Sequence, residues 1–86
     1  METRVAVISA IIENRDAVER LNAVLHEYGD FIIGRMGLPY REKHIHIVCV
    51  AIDAPQDIIA ALSGKLGNIP GVSSKTIYSK VGAASE

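Results

Sequence analysis

Three side chains with metal-binding or nucleophilic character fall within six residues of one another: His44, His46 and Cys49. Two histidines separated by one residue on a strand point to the same face, with Cα atoms roughly 6.6 Å apart. That spacing can grip a transition metal such as Ni²⁺ or Zn²⁺, which needs further ligands to complete its shell. Cys49 is the obvious third donor, but strand parity works against it. In a regular strand Cys49 shares its face with Ile45, Ile47 and Ala51, away from both imidazoles. A bulge or a second subunit is then needed to complete a site at His44 and His46. The plainer alternative, which the residues favour, is two histidines at a strand start beside a turn, and a buried structural thiol.

Other chemistry is weaker. Cys49 as a nucleophile requires an activating base on its own face, and the histidines lie on the other. The carboxylates Glu13, Asp16, Glu42, Asp53 and Asp57 fall in turns and helix starts, where capping and solubility account for them. Gly29, Gly34 and Gly37 follow a helix or lie within a strand, so they do not form a strand-to-helix phosphate loop. The expectation is a protein that is not an enzyme.

The elements that position these residues follow from hydrophobic periodicity. Residues 3–12, Arg4 and Ser9 apart, are β-branched or small and apolar on both parities, as in a central strand covered on both faces. Asn14 is placed to cap a helix, with Asp16 in its first turn. Val18, Leu21, Leu25 and Tyr28 form its apolar stripe, His26 lies off that stripe, and Gly29 stops the helix as a left-handed C′ residue. Residues 31–36 form a second strand, in which Gly34 marks a bulge or a close backbone approach. Gly37, Leu38 and Pro39 lead into a turn that includes the charged run 41–43, and a third strand follows at 44–52. A second helix begins near Pro55, carries Ile58 or Ile59, Leu62 and Leu66 inward, and ends at Gly67. Gly64 inside it points to a neighbouring backbone packing closely. Residues 72–80 form a fourth, more polar strand suited to a sheet edge, and 81–86 are expected to fray.

The order β-α-β-β-α-β with right-handed crossovers predicts an α+β fold of the ferredoxin-like type. Residues 1–86 form one domain, with a four-stranded antiparallel sheet in the order 4-1-3-2 and both helices on one face. The other sheet face is then bare. Four strands about 4.8 Å apart and roughly 20 Å long leave ~300–400 Å² there. Burying such a face is worth more than association costs, so a homodimer through the sheet face or edges, or a homotetramer, is expected. Composition agrees: 86 residues, 49% hydrophobic with no Trp, make a small aliphatic core that is marginal alone. A net charge of −1 without a basic stripe argues against direct nucleic-acid binding. One cysteine, no secretory-type start and no apolar run long enough to span a bilayer predict a cytoplasmic protein without a membrane partner.

Five segments together resemble one family. They are residues 4–9 (Arg-Val-Ala-Val-Ile-Ser), 13–16 (Glu-Asn-Arg-Asp), 25–30 (Leu-His-Glu-Tyr-Gly-Asp), 32–43 (Ile-Ile-Gly-Arg-Met-Gly-Leu-Pro-Tyr-Arg-Glu-Lys) and 61–75 (Ala-Leu-Ser-Gly-Lys-Leu-Gly-Asn-Ile-Pro-Gly-Val-Ser-Ser-Lys). In this order they resemble the iron-only hydrogenase system regulators. The resemblance implies an ACT-type domain, similar to the C-terminal effector domain of the nickel-responsive repressor, and a regulatory role. It brings no catalytic residues. By analogy with ACT-type dimers, a small-molecule effector would meet the loop Glu13, Asn14, Arg15 and Asp16 and the glycines Gly34 and Gly37. The repressor's His-x-His pair resembles His44 and His46, but Cys49 follows at a shorter spacing and the opposite parity. The repressor's DNA-binding segment has no counterpart before the first strand. Regulation is therefore expected to pass through a partner protein.

Overall fold

The fold is that of a computed structural model, which describes residues 2–80. Its elements are β1 (Arg4–Ile12), α1 (Arg15–Glu27), β2 (Ile32–Tyr40), β3 (Ile45–Ala54), α2 (Gln56–Gly67) and β4 (Val72–Tyr78), with single 3₁₀ turns at Gly29–Phe31 and Arg41–Lys43. All strand pairs are antiparallel and the sheet order is β2-β3-β1-β4. This is the expected ferredoxin-like arrangement, with the two most apolar strands at its centre. The expected tail at 81–86 lies outside the described residues.

One face of β1 and one face of β3 make the core with the helices. Ala6, Ile8, Ala10 and Ile12 of β1 are buried, and so are Val48, Val50, Ile52 and Ala54 of β3. α1 adds Ala17, Leu21 and Leu25, and α2 adds Ile59, Leu62 and Leu66. Spacings of three and four residues bring each helical set onto one stripe. Tyr28 and Ile69, just beyond the two helices, close the cluster. Polar ties hold the layers in register. Arg35 of β2 donates to Asn22 of α1 at 2.6 Å, and the Ser63 and Thr76 hydroxyls join α2 to β4. Arg4 donates to Gln56 and to the Ser79 carbonyl, and its guanidinium lies 4.7 Å from the centre of the Tyr78 ring.

The opposite face carries the other parity of the same strands. Val5, Val7 and Ile11 of β1 alternate with its buried residues and are exposed. Cover on both sides of β1, which its apolar pattern demands, is therefore supplied on one side only within a single chain.

Several local expectations are corrected. Gly29 is not a left-handed stop: α1 closes on Tyr28, whose N–H reaches the carbonyls of Leu25 and His26, and Gly29 opens a 3₁₀ turn. Among the described glycines only Gly71 has positive φ. Gly34 and Gly64 admit no close backbone, since an added Cβ at either would meet nothing within 4 Å. The bulge expected near Gly34 does occur, as a register shift between Ile32 and Gly34. The turn falls at Arg41–Lys43 as expected, but β2 runs on through Gly37, Leu38 and Pro39 to Tyr40 instead of ending at Met36. Proline is tolerated there because β2 is an edge strand, paired only with β3. β3 begins at Ile45, one residue later than expected, because His44 adopts a left-handed conformation (φ 55°, ψ 39°) after the turn.

Leu62 is fully buried, so Leu62→Ala should cost about 2–5 kcal/mol in urea unfolding. Glu27→Gln, which removes an exposed 3.6 Å pair with Lys65, should cost less than about 1 kcal/mol in the same assay.

Candidate functional site

The loop between β1 and α1 is built from both ends. Asn14 is extended (φ −128°, ψ 119°) and its Oδ1 accepts from the Asp16 N–H at 3.0 Å, capping the helix. The Ala17 N–H reaches the Asn14 carbonyl at 2.9 Å. On the other side the Glu13 N–H donates to the Gly71 carbonyl at 2.8 Å. Gly71, at φ +88°, lies so close that a Cβ would stand 2.6 Å from Asn14 Cβ. The turn before β4 thus pins the start of α1, and only glycine fits both the dihedral and the gap.

Facing this loop is the tip of the β2–β3 hairpin. β1 ends at Ile12, opposite His46, while the hairpin continues through Pro39, Tyr40 and the turn to Ile45. The overhang and the first turns of α1 form the two walls of an open cleft of about 1200 Å³. Glu13, Arg15, Asp16, Val18 and Glu19 line one wall, and Pro39, Tyr40, Arg41, His44, Ile45 and His46 the other. The helix wall is mainly acidic around Arg15, and the hairpin wall is basic or titratable. The Tyr40 hydroxyl donates to Glu42 at 2.7 Å. That bond, and secondarily desolvation, raise its pKa above the usual phenol value, so it is a neutral donor at physiological pH.

The two groups of candidates found in the sequence thus meet. Glu13, Arg15 and Asp16 line the cleft with His44 and His46, although these residues are some thirty positions apart. Strand parity does not bring the histidines together as expected, because His44 lies in the turn; the cleft does. Asn14 is engaged as a helix cap and is not among the lining residues. Gly34 and Gly37 sit along β2 opposite Ala51 and Val48, outside the cleft. Val18, Glu19, Pro39, Tyr40, Arg41 and Ile45 line the cleft without having been candidates. Tyr40 had no signal while the second strand was expected to end at Met36. The position of Glu19, one turn after Arg15, could have signalled its wall.

Cys49 is apart from this cleft. It pairs with Ser9 on β1 and Met36 on β2, on the face away from the helices. No nucleophile–base pair therefore forms between Cys49 and the imidazoles. Among the described residues no three His, Cys, Asp or Glu side chains converge as a metal-holding group.

Residues 4–76 match the TM1266-like family, described as "Iron-only hydrogenase system regulator, putative". The chain belongs to this family. Among solved structures it is similar to the uncharacterized protein TM1266 from Thermotoga maritima, at 35% identity and a TM-score of 0.88, over 92% of this chain and all of that one. A formyltetrahydrofolate deformylase from Pseudomonas putida KT2440 shares the fold at 14% identity and a TM-score of 0.61, over 85% of this chain and 28% of the deformylase. No curated protein matches the chain. Among the described residues no helix is long and apolar enough to cross a membrane.

Gly71→Ala should destabilise the protein by roughly 2 kcal/mol or more in urea unfolding, since it adds left-handed strain to a contact with Asn14. An unchanged midpoint would mean that the loop relaxes freely and does not fix the cleft.

Proposed function

We propose that this family member is a non-enzymatic, oligomeric regulatory domain of an iron-only hydrogenase system. It takes a small-molecule effector in the cleft between the start of α1 and the hairpin tip, and acts through a partner protein and not by holding DNA itself. The observation that carries this is the convergence of Glu13, Arg15 and Asp16 with Arg41, His44 and His46 around one cleft. Its two walls differ in charge, which suits a small polar molecule bearing both an anionic and a cationic group. Separation of Cys49 from the imidazoles supports a binding role over catalysis. Action through a partner is supported by a net charge of −1, too little positive charge to neutralise many phosphates.

A metal-sensing role is the second reading, favoured by the presence of both imidazoles on the same cleft. Further donors would have to come from a second subunit, because the described residues of one chain gather no set of three.

Thermal unfolding against a panel of free amino acids, nucleotides and small carboxylates separates the two, together with calorimetric titration with Ni²⁺, Zn²⁺ and Fe²⁺. One organic compound should raise the Tm by on the order of 10 °C at a hundredfold excess over its Kd. Arg15→Glu and Arg41→Glu should abolish that shift. Metal binding tighter than millimolar, lost in a His44→Ala/His46→Ala variant, would instead establish the metal reading. The absence of both responses would remove the cleft as an effector site.

A further inference from the structure

We propose that the open face of the sheet is the interface of a homodimer, in which two copies stack face to face. This rests on the oligomeric reading above and commits it to one surface and one occupant. Register fixes what the face contains. One cross-sheet row runs Leu38, Ile47, Ile11, Ser73; the next runs Met36, Cys49, Ser9, Lys75; the next runs Gly34, Ala51, Val7, Ile77. Val7, Ile11, Met36, Leu38, Tyr40 and Ile77 are all between 41% and 70% exposed. They are neighbours across paired strands on one surface, so they form a contiguous patch and not scattered surface hydrophobics.

The area is that of a stable dimer. The strands are seven to ten residues long. At about 3.3 Å per residue and 4.8 Å between strands, the face covers roughly 550 Å² on each copy. Two copies then bury roughly 1,100 Å² before side-chain relief is added, above the ~1,000 Å² that a specific interface needs. Stacked sheets pack about 10 Å apart with interdigitating side chains, the arrangement these rows of branched residues suit.

Charge selects a second copy as the occupant. Among the described strand residues this face carries one cation, Lys75, and one anion, Asp53. A strongly acidic or basic partner finds only a single opposite charge to pair with. Two copies, each of net charge −1, repel one another little. The interface also adjoins the cleft. Tyr40 and Ile45 line the cleft and continue the open-face rows beyond Leu38 and Ile47. An effector that moves the hairpin tip therefore changes association, and by linkage association changes effector affinity.

Light scattering on the size-separated protein at 1–100 μM tests this. The wild type should run as a dimer or a multiple of one. Val7→Lys and Leu38→Lys, which place an unpaired ammonium in the interface, should weaken the dimer on the order of 100-fold or more and reduce the mass. Ile33→Lys charges the β2 edge at the bulge and should leave the mass unchanged. Far-UV circular dichroism checks that each variant is folded. If a variant is unfolded, the wild-type thiol decides: Cys49 should lose reactivity towards a bulky aromatic disulfide as the protein is concentrated into the dimer range. A monomeric wild type at 100 μM would remove both the face and the oligomeric reading. An oligomer dissociated by Ile33→Lys but not by Val7→Lys or Leu38→Lys, with Cys49 equally reactive throughout, would overturn the face alone. Loss of mass in all three variants would indicate a tetramer that uses the face and an edge, and the face would stand.

Discussion

The structure depends on a mismatch between two faces of one sheet. β1 and β3 are apolar on both parities, but a chain with two helices covers only one of them. Packing Ala6, Ile8, Val50 and Ile52 against Leu21, Leu25, Ile59, Leu62 and Leu66 makes a complete core. The same strands must then present Val7, Ile11, Ile47 and Cys49 on the other side, because successive side chains alternate. An apolar surface of this size is costly in water, which ties the stability of so small a domain to whatever covers it.

The cleft follows from unequal element lengths at one end of the same sheet. β2 and β3 outrun β1, and the hairpin tip overhangs the start of α1. The opposing wall is held by three local devices. The Asn14 side chain caps the helix, the Glu13 N–H is tied to the Gly71 carbonyl, and Gly71 fills a space that no side chain could share. The cleft walls therefore differ in how they are held. The helix wall is fixed by the core and by the turn before β4, whereas the hairpin wall belongs to an edge strand and a single 3₁₀ turn. A ligand bridging the two would draw on the more adjustable wall, and that wall carries Tyr40 and Ile45 into the open face.

Two expectations that used glycine as punctuation failed, whereas Pro55 and Gly67 bound α2 as expected. Gly29 read as a left-handed helix stop and Gly37 as lying beyond the end of the second strand, because glycine is common in both roles. α1 does end there, with Tyr28 as its cap, but Gly29 is not left-handed and opens a 3₁₀ turn, and β2 runs past Met36 through Gly37 and Pro39 along a free edge. Gly71, by contrast, drew no expectation of its own. Its left-handed backbone and its contact with Asn14 span 57 positions of sequence, so no local pattern announces them.

By itself the sequence determined the element order, the helix stripes, the central placement of β1 and β3, and the existence of an uncovered apolar face. These follow from short-range periodicity, which is set within a few residues and repeats often enough to be unambiguous. It also separated Cys49 from His46, since parity is a local property of a strand. Only the tertiary structure decided that His44 leaves the strand and that it shares a cleft with His46, Glu13 and Asp16. It alone placed Gly34 and Gly37 outside that cleft. Such proximities depend on how far the hairpin outruns β1 and on where α1 begins beneath it. Both are set by strand register and by the pinning of one loop on another, and residues some thirty positions apart carry no local trace of either.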